Sequence, residues 1–183
     1  MGLTLLRHTA PDVTPGTCYG RLDLAPGPEF SAEAKVVSEQ LPPVSRVLTS
    51  PLLRCRALAE HIGRQTGLPV EVEPRLIEID FGRWEGLAWD AVRRDELDLW
   101  AADFWHARPH GGESVAMFTA RVAGWLADQK EACGWLAVTH AGFMRAALYL
   151  LGRDDNWSER FGYGERLELD AEELAACAAA TSL

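Results

Sequence analysis

The spacing of apolar and polar residues changes several times along the chain, and each change marks an element. A short apolar run, Leu3 to Leu6, stops at Arg7 and His8 and reads as a first strand. The Pro- and Gly-rich stretch from Pro11 to Pro28 then forms a loop of a length usually kept for function. Ala34, Val37 and Leu41 recur at helical spacing, which predicts a helix over Ala32 to Leu41, capped by Ser31 and stopped by Pro42 and Pro43. Val44 to Thr49 follows as a second strand, and Pro51, at the turn after Ser50, is a good start for a helix over Leu52 to Thr66 that Gly67 and Pro69 close. Val70 and Val72 alternate with glutamates as a short third strand.

Beyond the segment Arg75 to Phe81 the pattern loosens. Trp84, Trp89, Trp100 and Trp105 punctuate a charged region with partial helical periodicity, which predicts a helical cap over about 84–112, ended by Gly111 and Gly112. Ser114 to Lys130 carries Val115, Phe118, Val122, Trp125 and Leu126 as the stripe of an amphipathic helix. Trp135 to Thr139 is a fully apolar strand ending at His140, followed by a helix over Phe143 to Leu151 that Gly152 terminates. Arg166 to Leu169 alternates as a late strand, and Ala171 to Ala180 reads either as a last helix or as a loosely docked tail. Strands alternating with helices predict a three-layer α/β/α sandwich around a mostly parallel central sheet, with residues 1–183 as one domain carrying the cap as an insertion.

Composition narrows the range of functions. At 183 residues the chain suits one domain, and no apolar stretch approaches the ~20 residues that cross a bilayer, so no membrane partner is expected. The segment before Arg7 is too short for the apolar core of a signal peptide, which makes the cytoplasm the expected location. Cys18, Cys55, Cys133 and Cys177 are dispersed and read as free thiols. A net charge of −9, with Lys35 and Lys130 as the only lysines, argues against nucleic acid, whose binding draws on many contacts to phosphates. An anionic ligand must therefore be held by a local cluster of arginines that overrides the global field.

Such a cluster exists at the strand ends. Arg7 and His8 follow the first strand, Ser50 and Arg54 the second, and His140 with Gly142 the strand over Trp135 to Thr139. Parallel strands bring these ends together where open α/β sheets collect ligands. Two guanidinium forks and two imidazoles match the oxygens of a phosphoryl group, with charge-assisted hydrogen bonds worth about 1.5–3 kcal/mol each. A site of this composition needs no metal and no cofactor. His106 and His110 are poorly placed for a metal, because Pro109 and the glycines break the backbone around them.

Taken in order, Arg7-His8, Ser50-Pro51-Leu52 with Arg54, the segment Glu78 to Gly86, and Thr139-His140-Ala141-Gly142 resemble the histidine phosphatase superfamily. Within it, Arg7-His8-Thr9 with Pro11 and the stretch Gly16 to Asp23 resemble the branch of α-ribazole phosphatases of cobalamin synthesis. The resemblance implies that His8 is a nucleophile forming phosphohistidine. It implies that Arg7, Arg54 and His140, the last preferably protonated, stabilise the transferring oxygens. Glu78 is the implied proton donor, a carboxyl held neutral beside the developing alkoxide. Thr9, Arg21, Ser50, Glu113, Ala141 and Gly142 are expected to contact substrate; Arg21 and Asp23 read either as holding its ribose or phosphate or as paired with each other. Glu113 has a second reading as a carboxylate facing a helix N-terminus. Thr9 and Ala141 stand where the motif commonly has glycine, and Thr9 is expected to narrow the pocket floor.

The implied activity is hydrolysis of a small-molecule phosphomonoester, α-ribazole 5′-phosphate foremost, by a monomer or homodimer. A broad-specificity or sugar-phosphate phosphatase is the alternative, a phosphoglycerate mutase is disfavoured by chain length, and a phospholigand sensor is disfavoured by Glu78. The cap tryptophans are expected to be either core or a stacking surface for a flat base.

Overall fold

The computed structural model describes residues 2–154 and 157–181. Five strands form one sheet in the order β3-β2-β4-β1-β5: β1 (Leu3–Arg7), β2 (Arg46–Thr49), β3 (Val70–Val72), β4 (Trp135–Thr139) and β5 (Arg166–Leu169). β1, β2, β3 and β4 run parallel, and β5 pairs antiparallel with β1 at the edge. Parallel pairing demands long crossovers. These are supplied by α1 (Phe30–Glu39), α2 (Leu53–Thr66), α3 (Arg94–Ala102), α4 (Val115–Ala127) and α5 (Ala141–Leu150), and α6 (Ala171–Thr181) follows the edge strand.

The period-2 alternation of the strands sorts their side chains onto two faces. Leu3, Leu5, Leu48 and Ala137 point to one side and pack with Phe118, Val122 and Trp125 of α4 and Phe143 of α5. Leu6, Val47, Leu136 and Val138 point to the other, against Ala34 of α1 and Leu58 and Ile62 of α2. That is the expected three-layer arrangement, with β4 buried at the centre. α6 is docked, because Leu174 and Cys177 are buried in the α4 side of the core. Cys18 and Cys55 are buried free thiols, and Cys133 is an exposed one.

Several element boundaries differ from the sequence expectation. α1 starts at Phe30, so Ser31 lies inside its first turn and caps nothing; the helix begins where Phe30 N–H reaches back to Gly27 O (3.1 Å). β2 begins at Arg46, and Pro51 lies in a bend before α2. α5 starts two residues earlier than expected, with His140 in the cap position. Over 84–112 only α3 is an α-helix; the remainder is short 3₁₀ turns, at Gly82–Trp84 and Trp89–Ala91, and bends. Ring packing organises this region: Trp84 is fully buried, donates to Glu96 (2.7 Å), and meets Trp100 and His110 edge-on. Among the described residues no helix is long and apolar enough to cross a membrane.

Candidate active site

Three neighbouring strands end at one level. His8 N–H donates to Thr139 O (3.1 Å) and Ser50 N–H to Val138 O (2.9 Å), so His8, Ser50 and His140 leave the sheet side by side at the carboxyl ends of β1, β2 and β4. All three are buried, as is Arg54 in the first turn of α2.

The hydrogen bonds assign the tautomer of His8. Its Nδ1 lies 2.6 Å from Thr9 O, and a carbonyl can only accept, so Nδ1 carries the proton and Nε2 carries the lone pair. Burial, followed by the charge of Arg54, pushes the His8 pKa well below the ordinary imidazole value. His8 is therefore a neutral imidazole whose Nε2 lone pair accepts from Arg54 Nε–H (3.3 Å).

Arg54 has no exposed surface. Its Nη1 donates to Leu22 O (2.7 Å), its Nη2 to Gly20 O (2.6 Å), and Nη2 also lies 3.3 Å from His140 Nδ1. These partners are carbonyls and imidazole nitrogens, so the guanidinium leaves net positive charge beside His8. The same bonds pin the long loop over the site. Gly20 is required there, because a Cβ would stand 1.9 Å from Ile79 O.

His140 Nε2 meets Ser50 Oγ at 2.8 Å. Complete burial and then Arg54 hold the His140 pKa well below the ordinary value, so the imidazole is neutral near pH 7 in this environment, against the expectation of a protonated group. The physical reason is first that burial strips water from the charged form and second that the buried cation Arg54 already stands beside it.

A cavity of about 350 Å³ opens from His8. Arg7, Glu78, Ala141 and Gly142 line its inner end. Arg7 donates through Nη1 to Phe161 O and lies over the Tyr163 ring at 4.0 Å. Its buried Nε has no hydrogen-bond partner among the described residues. Glu78 accepts from Gly142 N–H (2.9 Å) on Oε2 and from Ile79 N–H (3.0 Å) on Oε1. The outer walls are rings: Phe81, Trp89, Trp100, Phe104 and Trp157, joined by edge-on or tilted contacts of 5.4–6.4 Å.

Other residues singled out in the sequence lie elsewhere. Ser50, Arg54 and His140 form a layer behind His8, off the cavity wall. Thr9 supplies its carbonyl to His8, while its side chain borders a separate surface cleft rather than this floor. Arg21 pairs with Glu113 (3.0 Å) and Asp80 (3.6 Å), and neither Arg21 nor Glu113 lines the cavity. Asp23 Oδ1 accepts from Leu53 N–H (2.7 Å), which supplies α2 with the N-terminal cap its own sequence lacks. His106 pairs with Asp103, and His110 packs between Phe81 and Trp84.

Three residues carry more of the site than the sequence suggested. Tyr19 and Tyr163 share a hydroxyl–hydroxyl hydrogen bond of 2.9 Å beside Arg7 and Arg54, and burial foremost raises the Tyr19 pKa to about 12, keeping it a neutral donor. Arg145 reaches the cavity wall and donates to Glu159 O (2.8 Å). It lies at i+4 from Ala141 on α5, a spacing that could have located it. Nothing in the local sequence announces Tyr163, which arrives from a distant loop.

Comparisons with known proteins converge on one family. Residues 3–167 match the model described as the histidine phosphatase superfamily (branch 1). Phosphoserine phosphatase 1 of Hydrogenobacter thermophilus is 32% identical over 83% of this chain and 77% of its own. Glucosyl-3-phosphoglycerate phosphatase of Mycobacterium tuberculosis is 31% identical over 88% and 81%. Adenosylcobalamin/alpha-ribazole phosphatase of Salmonella typhimurium is 29% identical over 79% and 76%. Among solved structures, TTHB049 from Thermus thermophilus superposes with a TM-score of 0.74 at 30% identity, covering 91% of both chains. The native mycobacterial glucosyl-3-phosphoglycerate phosphatase does so with 0.73 at 29%, covering 90% and 87%.

Proposed function

Because this chain belongs to the histidine phosphatase superfamily and is a phosphatase, we propose that it hydrolyses phosphomonoesters through phosphohistidine on His8, without a metal, and that its substrate is α-ribazole 5′-phosphate. His8 Nε2 attacks phosphorus in line. A P–N bond forms as the P–O bond to the alcohol breaks, and Glu78 delivers a proton to the departing oxygen. Water then attacks the phosphohistidine, gives its proton to the Glu78 carboxylate, and the P–N bond breaks to release phosphate. Arg7 and Arg54 supply the cationic environment for the phosphoryl oxygens, which is what a metal would otherwise provide. The arrival of a phosphoryl dianion reverses the electrostatic balance that keeps His140 neutral and favours its protonation during transfer.

The aromatic wall carries the choice of substrate. A cavity with a cationic end and a ring-lined end suits a phosphate on a flat, apolar leaving group, and a benzimidazole nucleoside has that shape. Arg145 at the wall favours one competing reading, a phosphomonoester bearing a carboxylate, the type of substrate named for the phosphoserine and glucosyl-3-phosphoglycerate phosphatases.

Phosphate release from α-ribazole 5′-phosphate, phosphoserine, 3-phosphoglycerate, a panel of sugar phosphates and p-nitrophenyl phosphate, measured in EDTA for the wild type and His8→Ala, tests the proposal. EDTA-resistant release selective for the ribazole ester and lost in His8→Ala is expected. Preference for the carboxylated esters would move the assignment to the competing reading. Release that survives His8→Ala would end the phosphohistidine mechanism.

A further inference from the structure

The segment that carries Glu78 has little regular structure to hold it. After a single 3₁₀ turn at Pro74–Leu76 it runs through Asp80 outside any helix or strand, crosses the site, and turns at Gly82. Backbone in this state leaves carbonyls that need partners, and one side chain takes three of them. Arg121, from the middle of α4, donates through Nη1 to Arg75 O (2.8 Å) and Ile77 O (2.8 Å) and through Nη2 to Glu78 O (3.2 Å). Its plane lies over Phe118 at 4.9 Å, and its side chain is largely buried.

Glu113 holds this guanidinium in turn. Its carboxylate accepts from Arg121 Nε (3.1 Å) and Nη2 (2.9 Å), a fork-to-fork pair. The same carboxylate accepts from Asp80 N–H (3.2 Å), and Glu113 N–H donates to Asp80 O (2.9 Å). The pair thus grips the segment on both sides of Glu78, at the carbonyls of residues 75, 77 and 78 and at both backbone groups of residue 80. Arg21 closes the outer side of Glu113 at 3.0 Å.

We propose that Arg121, backed by Glu113, is a positioning residue that sets where the Glu78 carboxyl stands relative to the departing oxygen. Neither side chain lines the cavity, so both act through Glu78. This gives Glu113 a role different from the substrate contact expected from its motif. The inference rests on Glu78 being the proton donor, and it makes the consequence of losing Arg121 depend on the leaving group. An alkoxide needs a proton to depart, whereas p-nitrophenolate leaves without one. A general loss of structure does not discriminate between the two.

The experiment compares kcat/KM, which reports the steps through departure of the alcohol, for the fastest alkyl phosphate of the panel and for p-nitrophenyl phosphate. Arg121→Gln is expected to lower the alkyl value by roughly 10- to 100-fold, the scale of a misplaced acid, with less than about threefold change for the nitrophenyl ester. Arg121→Lys, which keeps the positive charge facing Glu113 but loses the planar fork, should fall between Arg121→Gln and wild type on the alkyl ester alone. Glu113→Gln keeps the packing and should show the same selectivity more weakly, and it decides the matter if Arg121→Gln does not fold. Glu78→Gln is the reference. If Glu78→Gln is selective for alkyl esters and the Arg121 and Glu113 variants lower both substrates equally, the positioning role is overturned while the donor assignment stands. If Glu78→Gln is itself unselective, both fall together.

Discussion

The end of the cavity at His8 rests on three adjacent strand ends, whereas its remaining wall is made of rings carried mostly by turns and loops. His8, Ser50 and His140 leave β1, β2 and β4 at one level, and the backbone bonds of the sheet fix their separation. Phe81, Trp89 and Trp157 come from segments with little or no ladder of their own and Trp100 from the short helix α3, and they stand where they do because they pack on one another through Phe104. A sheet edge tolerates little displacement of a reacting group, and ring packing tolerates exchange of one ring for another. Under the proposed mechanism the chemistry belongs to the rigid end and the choice of leaving group to the adaptable one. Changes at the first end should reduce turnover of every ester whose alcohol needs a proton to leave, and changes at the second should reorder those esters by the shape of the alcohol.

The largest effect expected at the rigid end without removing a reacting group comes from Gly142→Ala. A Cβ on Gly142 would stand 2.3 Å from Glu78 Oε1 and 3.0 Å from Oε2, and the carboxylate can swing away at small cost to the fold. The swing would break the bond from Gly142 N–H and take the proposed proton donor off its line. Turnover of alkyl esters should fall by ~10²-fold, the scale of misplacing an acid. Thermal stability should stay close to wild type. A variant that retains full activity would show that Glu78 is not held by this contact.

A smaller and selective effect is expected at the ring-lined end. Trp89 is 36% exposed and contacts Phe81 and Trp84 edge-on, so its removal should leave the fold intact. In Trp89→Ala, KM for esters of flat aromatic nucleosides should rise by about threefold to tenfold, matching the ~0.5–1.5 kcal/mol of an aromatic pair. KM for glycerol or sugar phosphates should not move. Equal increases for both classes would mean that the rings shape the cavity without selecting its occupant.

The same division explains what could be read from the chain before its structure. Strand ends are local signals: an apolar run that stops at Arg7-His8 or at Thr139-His140 announces both the element and the group it presents. The three-layer sheet followed from those runs, and His8, Arg54 and His140 came together because parallel pairing leaves no other arrangement. Arg21 and Glu113 were misread because each sits in a motif whose partner is remote in sequence; only the fold reveals that they bond to each other and to Asp80. Asp23 was misread for the same reason, since it caps a helix thirty residues away. The cap was taken as more helical than it is, because tryptophans at near-helical spacing satisfy the same periodicity whether they line a helix or bury themselves in turns. Tyr163 and Arg121 left no local trace, one arriving on a late loop and the other hidden as a charged position beside an apolar stripe.

The mildest effect links the rigid end to pH. His8 and His140 have pKa values held well below 6.5, by burial first and by Arg54 second, and burial lowers that of His110 as well. Around the two catalytic-end imidazoles stand the cations Arg7 and Arg54, with Arg121 adding to the field at His140. Below pH 6.5 the unfolded chain takes up protons on these histidines that the folded chain refuses. Unfolding then binds protons, and stability falls as pH drops through the unfolded value. The melting temperature should hold between pH 8 and 7 and decline by a few degrees from 6.5 toward 5, before carboxylates begin to titrate. Replacing His8 and His140 together by Asn should flatten that decline, whereas Trp89→Ala at the ring-lined end should leave its slope unchanged. A decline of the same slope in the His8/His140 variant would place the proton uptake outside the rigid end, and the electrostatic account of its two neutral imidazoles would have to be abandoned.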